Sequence, residues 1–107
     1  MLTDGLYSVR FKTPMGDGSG VVTLIGGKLR GGDAGIAYLG SYTQDGDSFK
    51  ATVKTQRHTH GLGSVFGKDN VTISLTGKSS GTGTNCTGTA AEAPGVTFQA
   101  ALARISD

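Results

Sequence analysis

The sequence predicts an all-β domain: a small antiparallel meander of about eight short strands that closes into a barrel. Three observations carry this expectation. Apolar residues recur two apart in segment after segment, as with Phe49, Ala51 and Val53 set against Lys50, Thr52 and Lys54. Tight turn signals such as Gly26-Gly27 and Asp45-Gly46 separate these segments, in a chain with Gly 19 and Pro 2. No heptad or long amphipathic helix interrupts them. Sequential hairpins with one apolar face curl until the first and last strands meet, which removes the exposed edges. Alternation alone does not separate a barrel from a sandwich, and the barrel is favoured because the last apolar row suits pairing with the first.

Each element follows from its local pattern. Tyr7, Val9 and Phe11 alternate with Ser8, Arg10 and Lys12, a half-buried strand with a basic outer face. Pro14-Met15-Gly16-Asp17-Gly18 reads as a turn, and residues 20–25 as a second strand. Gly26-Gly27 reverses the chain into a short strand at Lys28-Leu29-Arg30. Next comes Gly31-Gly32-Asp33-Ala34-Gly35, where three glycines around Asp33 offer cheap positive φ for a sharp reversal. Ile36, Tyr38, Gly40 and Tyr42 then share one face of a fourth strand, and Gly40 leaves a gap between two tyrosines where a neighbour or ligand can approach. Asp45-Gly46 predicts a type I′ hairpin turn.

The fifth strand shows the clearest alternation, Phe49 to Thr55. From Arg57 to Asn70 the alternation stops, and Leu62, Val65 and Phe66 fit one short helical turn. Val71, Ile73 and Leu75 mark a sixth strand. Ser79-Ser80-Gly81 turns into a seventh, 82–90, on which Cys86 shares a face with Thr84 and Gly88. Ala93-Pro94-Gly95 is the expected last turn, before a closing strand through Val96, Phe98, Ala100 and Leu102. Residues 1–107 form a single domain, with room for one core and not two.

Composition narrows the function classes. Net charge is +2 and charged residues make up 17%, too small a basic excess for direct nucleic-acid binding. No apolar run is long enough to span a membrane as a helix. Residues 1–5 have neither a basic region nor an apolar core, so no signal peptide is expected. The single cysteine, Cys86, excludes an internal disulfide and suits a reducing, cytoplasmic compartment. As a lone thiol without a readable base it fits a small buried side chain better than a nucleophile.

Other chemistry is sparse. His58-Thr59-His60 offers two metal ligands from one segment, with Asp69 the only candidate third, and a solvated loop pair is the simpler reading. No metal, cofactor or catalytic residue is therefore assigned, and the chain is not expected to be an enzyme. Gly61-x-Gly63-x-x-x-Gly67 misses the dinucleotide spacing. The acceptor-type triplets at Asn70 and Asn85 carry no meaning without secretion. Arg10, Lys12, Lys50 and Lys54 are candidates for a basic outer patch, and ordinary solubilising charge is the simpler account. The inward aromatics Tyr7, Phe11, Tyr38, Tyr42, Phe49 and Phe98 either fill the barrel or border a cavity for an apolar small molecule. Both remain open.

Gly5-Leu6-Tyr7-Ser8-Val9-x-Phe11, then Gly31-Gly32-Asp33, then Tyr38-x-Gly40 resemble, in order and spacing, the GrlR family of negative regulators of type III secretion. The likeness covers about the first half of the chain, and Ser64-Val65-Phe66-Gly67 and Ala93-Pro94-Gly95-Val96-x-Phe98 look like motifs of broader members. The resemblance implies a lipocalin-like β-barrel that forms a homodimer and restrains a transcriptional activator by binding it. Lipocalins proper carry a Gly-x-Trp near the start, and this chain has no Trp, so the likeness to them is one of shape. The family's acidic partner-binding run falls on Gln44-Asp45-Gly46-Asp47, where Asp45 and Asp47 match and the other two positions do not. Two reading frames for function result: a non-catalytic protein-binding regulator, or a carrier or sensor of an apolar molecule. A filled barrel favours the first and an internal void the second.

Overall fold

A computed structural model of the chain describes residues 1–60 and 70–107. Eight antiparallel strands follow one another around a closed barrel: β1 (Gly5–Thr13), β2 (Gly16–Ile25), β3 (Lys28–Gly32), β4 (Ile36–Asp45), β5 (Ser48–Arg57), β6 (Thr72–Ser80), β7 (Gly83–Ala90) and β8 (Ala93–Ser106). β8 closes on β1 through a register running from Leu6↔Ser106 to Lys12↔Gln99, so neither terminal strand is left as an edge. The predicted fold class is the observed one. No described helix is long and apolar enough to cross a membrane, and the helical turn expected around Leu62, Val65 and Phe66 lies outside the described residues.

The period-two pattern sets the core. Tyr7 and Val9, Val22 and Leu24, Ile36 and Tyr38, Phe49 with Ala51 and Val53, Ile73 and Leu75, and Phe98 with Ala100 and Leu102 all point inward and are buried. Cys86 is buried on the inner face of β7 with Thr84, whose Oγ1 lies 3.7 Å from its Sγ. Burial raises the thiol's pKa, against a smaller lowering by Thr84.

Several turns differ from the sequence reading. Gly26 and Gly27 both take positive φ (57° and 83°), the pattern of a type I′ hairpin. At the β4–β5 hairpin only Gly46 does (φ 60°), and Asp47 does not. That is the φ pattern of a type II′ turn, with glycine first, and the expected type I′ is corrected: an aspartate at the second position avoids the left-handed region that type I′ would impose. The first turn is only Pro14-Met15, because Gly16 already pairs with Thr13. β6 runs through Ser80, so Gly81-Thr82 turns the chain there. The last reversal is Ala91-Glu92, where Glu92 Oε1 accepts the Thr72 amide at 2.7 Å. Pro94 and Gly95 instead sit within β8, where four residues (94–97) stand opposite Thr89 alone. Such a bulge accepts a proline, which lacks the amide a regular ladder needs.

Positive φ is not how the chain reverses at Asp33. Gly31, Gly32 and Gly35 are absent from the left-handed region. Asp33 makes the turn through its carboxylate, Oδ1 accepting the amides of Gly35 (2.9 Å) and Ile36 (2.8 Å) while its own amide donates to the Ile36 carbonyl at 2.9 Å. Gly31 serves close approach instead: a Cβ there would collide with the Val21 carbonyl oxygen and lie 2.7 Å from Val22 Cα. The gap at Gly40 is likewise taken by the adjacent strand, since a Cβ would come within 3.1 Å of Val53 Cα and Cγ2.

Candidate functional site

The two ends of the barrel are built differently. At one end lie the Gly26-Gly27, Gly46-Asp47 and Gly81-Thr82 turns and both termini. Here Tyr7, Leu24 and Phe49 are almost completely buried, and Tyr42 stacks on Phe49 at 5.6 Å between centroids. Residues 1–4 cross this end. The Gln44 side chain holds the Leu2 backbone from both sides, accepting its amide at 2.7 Å and donating to its carbonyl at 2.9 Å. The Tyr7 hydroxyl donates to the Thr3 carbonyl at 2.7 Å. With Leu2 buried beneath these bonds, the end is stoppered.

At the other end the described residues border a cavity of about 500 Å³. Its walls are apolar, formed by Val9, Val22, Val53, Ile73, Leu75 and Leu102. Toward the mouth stands an aromatic row: Tyr38 meets Phe11 edge-on (5.9 Å, 87°), and Phe11 stacks on Phe98 (6.0 Å, 22°). Two glycines of β2 make room for it. A Cβ at Gly18 would lie 2.7 Å from the Phe11 ring, and one at Gly20 would lie 3.0 Å from the Tyr38 ring. Of the six inward aromatics, Phe11, Tyr38 and Phe98 thus border the cavity. Tyr7, Tyr42 and Phe49 are placed elsewhere, in the stoppered end. Alternation assigns a side chain to the inner face, but not to one end of it.

At the mouth the polar groups converge on Asp33. Its Oδ2 accepts a hydrogen bond from the Tyr38 hydroxyl. Burial alone raises the carboxyl's pKa; the Tyr38 hydroxyl, the two amides and the charge on His58 outweigh it, and the net shift is downward. Tyr38 moves the other way, raised by burial and then by its bond to, and the charge of, Asp33. His58 bridges to the same loop, its Nε2 3.0 Å from the Asp33 carbonyl and its Nδ1 2.7 Å from Thr59 Oγ1. A carbonyl only accepts, so the Nε2 carries a proton. His60 borders the cavity itself. The sequence reading treated Asp33 as a turn residue; the spacing of Asp33 to Tyr38, a turn acid followed by an inward phenol, was the signal for the pair.

Other expected groups separate. Arg10 and Lys12 lie on β1 while Lys50 and Lys54 lie on β5, four strands away around the ring. They stand on opposite sides and form no joint patch, a correction that follows from closure. Among the described residues no three of His, Cys, Asp and Glu gather as metal ligands, and Asp69 is outside them. Asp45 and Asp47 flank the exposed hairpin tip at the stoppered end. The Asp47 carboxylate meets the Met1 ammonium at 3.1 Å, an exposed pair that screening leaves weak.

No family model matches the chain, and no curated protein does.

Proposed function

We propose that this barrel binds a small apolar molecule, as a carrier or sensor acting in the cytoplasm. The observation that supports the reading is the cavity: about 500 Å³ with apolar walls, in a barrel stoppered at one end, with the cavity at the other among the described residues. Pockets for drug-sized ligands fall in this range and share this lining. A barrel built only as an interaction surface has no use for the space, because close packing would stabilise it further. Titration with the neutral probe N-phenyl-1-naphthylamine tests the reading. Saturable fluorescence enhancement is expected, competed by apolar compounds. Absence of saturable binding overturns the proposal.

The exposed hairpin supports a second reading, in which the chain is a non-catalytic regulator similar to the GrlR family. It would form a homodimer and use Asp45 and Asp47 to hold a basic surface of a transcriptional activator. The hairpin lies at the end opposite the mouth, so the two readings are compatible in one molecule. Exchanging both aspartates for asparagine should weaken capture of such a partner, and added salt should do the same. Capture that ignores both changes, or a monomer by light scattering at micromolar concentration, counts against this reading.

A further inference from the structure

We infer that the ligand of this cavity carries a hydrogen-bond-donating, cationic head, as in an apolar amine, and that Asp33 with Tyr38 reads that head at the mouth. The inference rests on the cavity being a ligand site and names the ligand's class.

The argument is one of donors and acceptors. An ionised carboxylate has about four lone-pair sites and no proton to give. At Asp33 three are used, by the amides of Gly35 and Ile36 and by the Tyr38 hydroxyl. The Tyr38 proton is committed to Asp33, so the phenol oxygen presents only lone pairs to its surroundings. Both residues border the cavity. The pair is therefore an acceptor-only site, and it carries a negative charge that the lowered pKa maintains. It attracts a donor and repels a carboxylate or phosphate.

The rest of the lining agrees. Among the described residues it contains no Lys or Arg; it holds the carboxylates of Asp33 and Asp17, the latter opposite Lys12 in the β1–β2 register, and the imidazole of His60. Arg57 lies beside the mouth, but its Nη1 donates to the Thr59 carbonyl at 3.1 Å, and it does not border the cavity. Among the described residues an anionic head would find no Lys or Arg in this lining. An ammonium finds the Asp33 carboxylate, beside an aromatic row that suits a cation as well as an alkyl chain.

The experiment displaces N-phenyl-1-naphthylamine from the folded protein with dodecylamine, dodecanol and dodecanoate, each below its micellar concentration. The amine should displace the probe at least about tenfold more effectively than the acid, with the alcohol between them. The variant Asp33→Asn keeps an Oδ1 acceptor for the two amides and loses the charge. It should retain the probe while the three competitors draw together. Asp33→Ser, whose hydroxyl also caps a turn, serves the same purpose if the first variant fails to fold. Equal displacement by all three compounds, or preference for the acid, overturns the head-group inference and leaves cavity binding standing. An amine preference that survives in the folded variant overturns the role of Asp33. Failure of every compound to displace, or of the probe to bind, overturns the cavity reading and this inference with it.

Discussion

Filling the cavity should stabilise the protein while closing it to ligands, and Ala100→Leu is the substitution that separates these effects. Ala100 lies on β8, faces inward beside Phe11, borders the cavity and is 5% exposed. Leucine adds three carbons. Each methylene taken from water into apolar surroundings contributes about 0.8 kcal/mol, or about 2.4 kcal/mol together. Fixing a leucine rotamer opposes this by about 0.5–1 kcal/mol. In a close-packed core the extra volume would instead cost about 1–3 kcal/mol through strain. The 500 Å³ cavity decides which effect wins, because the side chain enters empty space and displaces no neighbour. A net gain of about 1.5 kcal/mol is expected, raising the melting temperature by about 6–12 °C for a domain of this size. Probe affinity should fall in the same variant. Calorimetry or circular dichroism with temperature reads the first effect and fluorescence titration the second. A lowered melting temperature would refute the reasoning, since it would mean the space beside Ala100 is already occupied.

Four further outcomes are expected. Asp33 has a folded pKa below its ordinary value of 3.8, so its stabilising contribution is complete above that pH and is lost as pH falls through the folded value. The melting-temperature advantage of the wild type over Asp33→Asn should therefore hold steady from neutral pH and narrow in acid below 3.8; a gap that does not change with pH contradicts this. Cys86, buried and with a raised pKa, should react slowly with a thiol reagent in the native protein and rapidly once it unfolds, and fast native labelling would place the residue wrongly. Gly31→Ala should destabilise by about 2 kcal/mol or more by forcing β2 and β3 apart. Gly81→Ala meets nothing within 4 Å at a glycine whose φ is not positive, and should stay within about 0.5 kcal/mol in a denaturant melt.

The candidate site was half legible in the sequence. Phe11, Tyr38 and Phe98 were readable as inward-facing, because a strand's period places them there whatever surrounds it. Their meeting was not readable. Phe11 and Phe98 come together only because β8 closes on β1, and Phe11 reaches Tyr38 across β2 and β3 only because Gly18 and Gly20 leave room between. The role of Asp33 was hidden by its neighbours, since three glycines offered an explanation of the turn that the backbone does not use.

What the chain determined by itself was local: where it extends, where it turns, and which side chains share a face. These depend on backbone sterics and on a two-residue repeat, both of which act over a few residues. Only the tertiary structure decided which end of the barrel each inward side chain occupies. It was closure that put Arg10 and Lys12 opposite Lys50 and Lys54, and the crossing of Leu2 under Gln44 that stoppered one end with Tyr7, Tyr42 and Phe49 nearby. Those arrangements depend on register and strand order around the ring, which couple residues far apart in sequence. The cavity lies where valine, leucine and isoleucine side chains line the wall and three aromatic rings stand toward the mouth, while Leu2, Tyr7, Leu24 and Phe49 fill the other end.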